Sequence, residues 1–177
     1  DFAASRKLKL LLAEDNQVNQ MFISTLLTTL GHSVDIAQNG HIALEKVQKD
    51  TYDLLLSDIR MPIMDGMVLT NSIRELKGKV SKIPIIGVTA DAMTDHRKQY
   101  IAAGMDEVSM KPIDLSDLLQ KMDKVLGEAI HTRVASNDPG PLAEAEAEES
   151  SDEASPDIDD FLKHLQNVAE KYDGEDK

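Results

Sequence analysis

Three carboxylates, a hydroxyl and an ammonium stand at or just beyond the ends of short apolar runs in this 177-residue chain. The run 8–13 ends on Glu14 and Asp15, and the run 54–56 leads to Asp58. The run 83–88 leads to Thr89, and 108–110 to Lys111 and Pro112. Clustered carboxylates repel one another, and burying them is costly unless a cation compensates. The donors are oxygens, with no cysteine and no paired histidine beside them, which points to a hard cation such as Mg²⁺. Lys111 is a point charge suited to a phosphoryl oxygen, and Thr89 with the backbone N–H groups after it could take another. Such a site neutralises charge during phosphoryl transfer, and a carboxylate at its centre can itself be the nucleophile, forming an acyl phosphate.

The elements that must bring these groups together are legible as an alternation. Short apolar runs stand at 8–13, 34–37, 54–56, 83–88 and 108–110, and several are apolar through consecutive positions, as strands buried on both faces of a parallel sheet are. Between them lie segments of helical spacing. Val18, Phe22, Leu26 and Leu30 share a stripe with Ile23 and Leu27 beside it; Ile42, Leu44 and Val47 mark a second helix; Val68, Leu69, Ile73 and Leu76 a third. A polar fourth helix is expected over 95–103, and Leu115, Leu118, Leu119, Met122, Val125 and Leu126 define a fifth, with Asp114 as its N-cap. Five β-α units with short links predict an α/β fold, a parallel sheet covered by helices on both faces. Ligands of such sheets bind beyond the carboxyl ends of the strands, which is where the five groups fall.

Glu14-Asp15-Asn16, the stretch Asp58-Ile59-Arg60-Met61-Pro62-Ile63-Met64-Asp65-Gly66, Val88-Thr89-Ala90 and Met110-Lys111-Pro112 together resemble the receiver domains of two-component response regulators. The match spans about residues 8–128, and the opening motif is most similar to receivers of hybrid histidine kinases. The resemblance implies a doubly wound, five-stranded flavodoxin-like (βα)₅ fold with strand order 2-1-3-4-5. It implies that Asp58 accepts a phosphoryl group from a phosphohistidine on a histidine kinase or histidine phosphotransfer protein. Asp15, Asp58 and the backbone carbonyl of Arg60 would bind Mg²⁺ directly, Glu14 through water. Thr89 and Lys111 would contact the phosphoryl group, and Lys111–Pro112 would be a cis peptide. Arg60, Ala90 and Asp91 flank the site at positions that tune phosphoryl lifetime in the family, and an Arg60–Asp91 pair across the site is expected. By the same resemblance Thr89 and the residue three before the lysine would act as the switch, reshaping the face of the fourth helix, fifth strand and fifth helix. That residue is usually aromatic in the family and is Val108 here. The implied activity is autocatalysed phosphorylation and dephosphorylation of Asp58, with no kinase domain in this segment.

Charge separates this body from the C-terminal segment. The formal charge of −13 divides into −3 over residues 1–130 and −10 over 131–177. The excess of acid argues against phosphate-neutralising nucleic-acid binding and against docking on anionic lipid. No apolar run approaches the ~18 residues of a bilayer span. The segment Arg6-Lys7-Leu8-Lys9 with its short apolar run faintly imitates a signal peptide, but Glu14-Asp15 end it, so a cytoplasmic location is expected. The expected organisation is an N-terminal extension (1–7), the receiver (8–130), an acidic disordered linker (131–155), an amphipathic helix (156–173) of unknown partner and a short tail (174–177). The histidines lack ligand spacing, so His32, His41, His96 and His131 are expected in surface or cap roles, and His164 lacks the residues usual after a phosphotransfer histidine.

Other functions fit these residues less well. A haloacid-dehalogenase-type hydrolase wants Asp-x-Asp after the first strand, and a flavodoxin-like electron carrier a Ser/Thr/Gly-rich loop there; the chain has Glu14-Asp15-Asn16-Gln17. A degenerate receiver that only docks is the remaining alternative, because Val108 replaces the aromatic switch residue.

Overall fold

The computed structural model describes residues 1–91 and 93–134. Its five parallel strands are β2 (Lys9–Ala13), β3 (Ser33–Ala37), β4 (Leu54–Asp58), β5 (Ile85–Thr89) and β6 (Glu107–Met110); the last four each follow a helix in the chain. The helices are α1 (Gln17–Thr29), α2 (Gly40–Lys49), α3 (Gly66–Arg74), α4 (Thr94–Ala102) and α5 (Leu115–Leu126), with a 3₁₀ turn over Lys79–Lys82. The sheet order is β3-β2-β4-β5-β6, the expected 2-1-3-4-5 when only the parallel strands are counted. The order reverses between β2 and β4, so a crevice opens beyond their carboxyl ends.

The consecutive apolar residues of the strands serve two cores. Leu10, Leu12, Leu54 and Leu56 face Ile23 and Leu27 of α1 and Leu118, Leu119 and Met122 of α5. Leu11, Ala13, Leu55 and Ile85 face Val47 of α2, Leu69 and Ile73 of α3 and Tyr100 of α4. This two-sided burial is why the strands read as runs and not as alternation. In α1 the buried seam is Ile23 and Leu27, while Val18 is 36% exposed, so the deeper contact lies one stripe over from Val18–Phe22–Leu26–Leu30. Asp114 caps α5 as expected, accepting from Asp117 N at 2.8 Å.

Two further strands close the described body. Residues 1–7, expected as an extension, contain β1 (Phe2–Ala4), which pairs antiparallel with β7 (His131–Arg133). The segment 131–155, expected as linker from its first residue, therefore begins with ordered structure. Ser5 N donates to Ile130 O (2.8 Å), and fully buried Ile130 joins the α1/α5 core. The remainder of that linker and the predicted helix at 156–173 lie outside the described residues.

A buried histidine ladder sits beside this ribbon, where surface or cap roles were expected for His32 and His131. Leu8 N donates to His32 Nδ1 (3.0 Å), so that nitrogen is unprotonated and the neutral ring carries its proton on Nε2. His32 Nε2 then donates to His131 Nε2 (2.8 Å), which leaves the His131 proton on Nδ1, facing Asp123 Oδ1 at 2.6 Å. Burial, helped by His131 and Arg6, lowers the His32 pKa to about 4, against the pull of Asp123 and Asp53. A histidine that is harder to protonate when folded contributes stability above its unfolded value, and this is lost as pH falls through the window from 6.5 to about 4. Urea unfolding at pH 7 and pH 4.5 is expected to show a loss of roughly 2–3 kcal/mol in wild type that His32→Asn lacks. Equal slopes in the two proteins would remove His32 as the origin.

Candidate functional site

The crevice at the β2/β4 switch point is built by backbone constraints first. Beyond β2, Glu14 N donates to Ala37 O (3.0 Å), and the Glu14 carbonyl accepts from Gln20 Nε2 (2.6 Å). Asn16 caps α1, accepting from Val18 N (2.9 Å) and Asn19 N (3.1 Å), while its own N–H donates to Glu14 Oε1 (3.1 Å). Capping of the helix thus also fixes the carboxylate that precedes it.

Asp58 ends β4, and the loop after it folds back tightly. Gly66 N donates to Ile59 O (2.8 Å), and a Cβ at Gly66 would lie 2.2 Å from the Asp58 carbonyl oxygen. Glycine there is demanded by close approach of the backbone. Within the loop, Met64 N donates to Pro62 O (2.7 Å) around Ile63, whose φ is +69°. This is a γ-turn in the left-handed region, a strained conformation for a β-branched residue. The Ile63 side chain is 84% exposed. Sequence reasoning missed this feature, because such a turn ordinarily signals glycine or asparagine.

Glu14, Asp15 and Asp58 each offer an oxygen within 4.8 Å of the others. Glu14 and Asp58 are buried and Asp15 is exposed. Lys111, whose peptide bond to Pro112 is cis, donates from Nζ to Glu14 Oε2 and to Asp58 Oδ2, both at 3.1 Å. Its backbone N–H donates to Thr89 O (2.7 Å), which ties the ammonium to the end of β5. Burial and the neighbouring Asp58 charge push the Glu14 carboxyl upward, against the opposing pull of Lys111 and the Asn16 N–H. For Lys111, burial lowers the ammonium, but Glu14 and Asp58 outweigh it and the net direction is upward. One lysine therefore leaves Glu14 incompletely compensated, and an all-oxygen cluster with unmet negative charge fits a hard divalent cation.

The flanking residues divide. Thr89 is buried, and its hydroxyl is bound to the Asp91 peptide: Asp91 N donates to Thr89 Oγ1 (3.0 Å), which donates to Asp91 O (3.1 Å). Arg60 and Ala90 are exposed. The expected Arg60–Asp91 pair does not form: Asp91 Oδ1 accepts from Met93 N (3.1 Å) and Oδ2 lies 2.7 Å from His96 Nδ1. His96 is nearer because α4 begins right after this loop, while Arg60 acts on Asp91 only through its field. Val108 is 4% exposed in the α2–α4 core and pairs in register with Gly87, so no exposed ring stands ready to swing inward.

One buried acid escaped sequence reasoning. Glu107, 3% exposed, forms an ion pair with Arg97 of α4, accepts from Lys124 of α5 (3.1 Å) and from Val108 N (3.1 Å). A charged residue opening an apolar strand was the available signal.

Comparison with known proteins gives one consistent likeness. The family model for the response regulator receiver domain matches residues 10–123. The chain is 36% identical over 129 residues to the sensor protein GacS of Pseudomonas syringae pv. syringae, covering 72% of this chain and 14% of that protein. It is 38% identical over 125 residues to the sensor protein EvgS of Escherichia coli, covering 71% and 10%. Among solved structures, the receiver domain of the sensor histidine kinase PA1611 from Pseudomonas aeruginosa, crystallised with a magnesium ion coordinated in its active-site cleft, superposes with TM-score 0.64. It is 32% identical, with 70% of this chain and all of that one covered. The chain thus spans a small fraction of the sensor proteins it matches.

Gly66→Ala is expected to lower stability by about 3 kcal/mol, since the overlap is with backbone and not with a side chain that can turn away. Urea denaturation reads this directly, and a loss below about 1 kcal/mol would show that the loop can yield.

Proposed function

Because the chain belongs to the response regulator receiver domain family, we propose that it is a phosphoacceptor in a His–Asp phosphorelay, taking a phosphoryl group onto Asp58. The observation that carries this reading is the buried Asp58 carboxylate held 3.1 Å from the Lys111 ammonium inside a three-carboxylate cluster. A histidine kinase or a histidine phosphotransfer protein is the donor. An Asp58 oxygen attacks phosphorus, the bond from phosphorus to the donor imidazole nitrogen breaks, and its electron pair stays on that nitrogen. The product is an acyl phosphate. Attack of water on phosphorus later breaks the bond to Asp58, restoring the carboxylate and releasing inorganic phosphate.

Glu14, Asp15, Asp58 and the Arg60 carbonyl would hold Mg²⁺, which supplies neutralisation of the charge gathered on the phosphoryl oxygens. Lys111 is already positioned to follow one of those oxygens, and the Thr89 hydroxyl takes another once it leaves Asp91. The buried wall of β2, β4 and β5 keeps bulk water to one side. Output runs through the face formed by α4, β6 and α5 to a protein partner or an attached domain, with no nucleic acid involved, and the location is cytoplasmic. Among the described residues no helix is long and apolar enough to cross a membrane. Val108 favours a second reading, a receiver that docks without switching.

Incubation with acetyl phosphate and Mg²⁺, read by intact mass, is expected to add one phosphoryl group to wild type and none to Asp58→Asn. An adduct that persists in Asp58→Asn would overturn the assignment, and no adduct on either protein would favour the docking reading.

A further inference from the structure

Both hydrogen-bonding roles of the Thr89 hydroxyl are spent on the Asp91 peptide, which donates to it at 3.0 Å and accepts from it at 3.1 Å. The hydroxyl cannot meet a phosphoryl oxygen until it lets that peptide go. The peptide is itself held, because the Asp91 carboxylate is gripped at two points. Oδ1 accepts from Met93 N (3.1 Å) at the N-terminus of α4, and Oδ2 sits 2.7 Å from His96 Nδ1 in the first turn of the helix. The Met93 amide, His96 and the more distant Arg60 keep the Asp91 carboxyl below the usual carboxylate range, so it is ionised and His96 Nδ1 must be the donor. The His96 ring is 6.5 Å, centroid to centroid, from Tyr100, which is buried among the α2–α4 core residues.

We propose that His96 is a positioning residue for phosphoryl transfer: by fixing Asp91 it holds Thr89 in the conformation turned away from the phosphoryl group and so restrains phosphorylation of Asp58. This rests on the reading of Thr89 as a phosphoryl contact. Among the described residues His96 forms no hydrogen bond or ion pair with Glu14, Asp15, Asp58 or Lys111, and its polar contact is to Asp91, the residue that holds Thr89. The α4 segment suits such a role. Among its described residues Tyr100 is the one large apolar side chain in the core, and Ile101 is 40% exposed. The helix is otherwise attached by polar contacts, His96–Asp91 at its start and Arg97–Glu107 on its next residue.

The test uses the full chain with acetyl phosphate and Mg²⁺, following the initial rate of phosphoryl incorporation by intact mass. His96→Ala, which keeps a good helix former, is expected to raise that rate about threefold to tenfold, the effect of losing one partly exposed charge-assisted hydrogen bond. His96→Asn, whose amide N–H can replace Nδ1, is expected to return the rate toward wild type. Mg²⁺ affinity, measured without phosphodonor, is expected to be unchanged. In a Thr89→Val background His96→Ala should have no further effect, since the two act along one path. Arg97→Ala loosens the same helix without touching Asp91 and is expected to leave the rate near wild type.

A His96→Ala rate equal to wild type overturns the proposal, as does an equal gain in the Thr89→Val background or in Arg97→Ala, which would assign the effect to helix packing. Absence of any adduct on wild type overturns the phosphoacceptor reading and this inference with it, whereas a phosphorylated wild type with a silent His96→Ala overturns this inference alone.

Discussion

The structure turns on a repulsion it does not fully relieve. Two buried carboxylates, Glu14 and Asp58, and an exposed third, Asp15, converge within 4.8 Å, and a single ammonium stands 3.1 Å from both buried ones. Two unit charges about 4 Å apart interact by about 4 kcal/mol at an effective dielectric constant near 20, so each neighbour matters on the scale of the whole fold's stability. Lys111 gains from both acids, which is why its ammonium is favoured despite burial. Glu14 gains too little in return, and its carboxyl is held upward. A site left short of positive charge is one into which a cation and then a phosphoryl group can be drawn with the acids and Lys111 already in place, so that only the Thr89 hydroxyl has to change partners.

Holding that arrangement is the task of the surrounding backbone. Glu14 is fixed by Ala37 and by the α1 cap, Asp58 by the sheet and by a loop that returns within 2.8 Å of Ile59. The loop can return so closely only because Gly66 lacks a Cβ, and it completes the turn at the cost of a left-handed Ile63. Strain of this kind persists where neighbours over-determine it: Gly40 N donates to the Met64 carbonyl (3.2 Å), and a Cβ at Gly40 would itself strike that oxygen. Rigid placement of the acids and strain in the adjoining loop are two sides of one constraint.

The parts legible in the sequence are those in which local pattern and global role agree. Runs such as Leu10-Leu11-Leu12 read as two-faced strands because each residue is claimed by one of two cores, and the site acids stand where those runs end. The α1 stripe was harder, since apolar residues lie on two adjacent faces and periodicity cannot say which is deeper; the sheet decides for Ile23 and Leu27. Contacts between residues distant in the chain left no local trace. His32 and His131 are 99 residues apart, and the three-residue strands β1 and β7 are too short to show alternation. The Asp91–His96 contact, with a spacing of five, matches no helical period because its first member lies in the loop before α4.

The same separation of scales bears on how this fold can switch. Helices α1 and α5 are anchored by fully or almost fully buried leucines, each of which would cost several kcal/mol to expose (about 2–5 kcal/mol for truncation alone), so they are poor candidates for movement. Among its described residues helix α4 is held by the part-exposed His96–Asp91 contact, worth about 1 kcal/mol, by Arg97 on the buried Glu107, and by one buried tyrosine. A ligand shifts a two-state equilibrium only by its differential affinity for the two states, and a few kcal/mol is what a newly bound dianion can supply through one hydroxyl and one ammonium. With Val108 offering no ring to relocate, a phosphorylation-driven switch would pass through the segment from Thr89 to α4, where the energies to be exchanged are of similar size. The buried Glu107, bound to both α4 and α5 from the strand between them, would limit how far such a movement could spread without breaking an ion pair whose acid is buried.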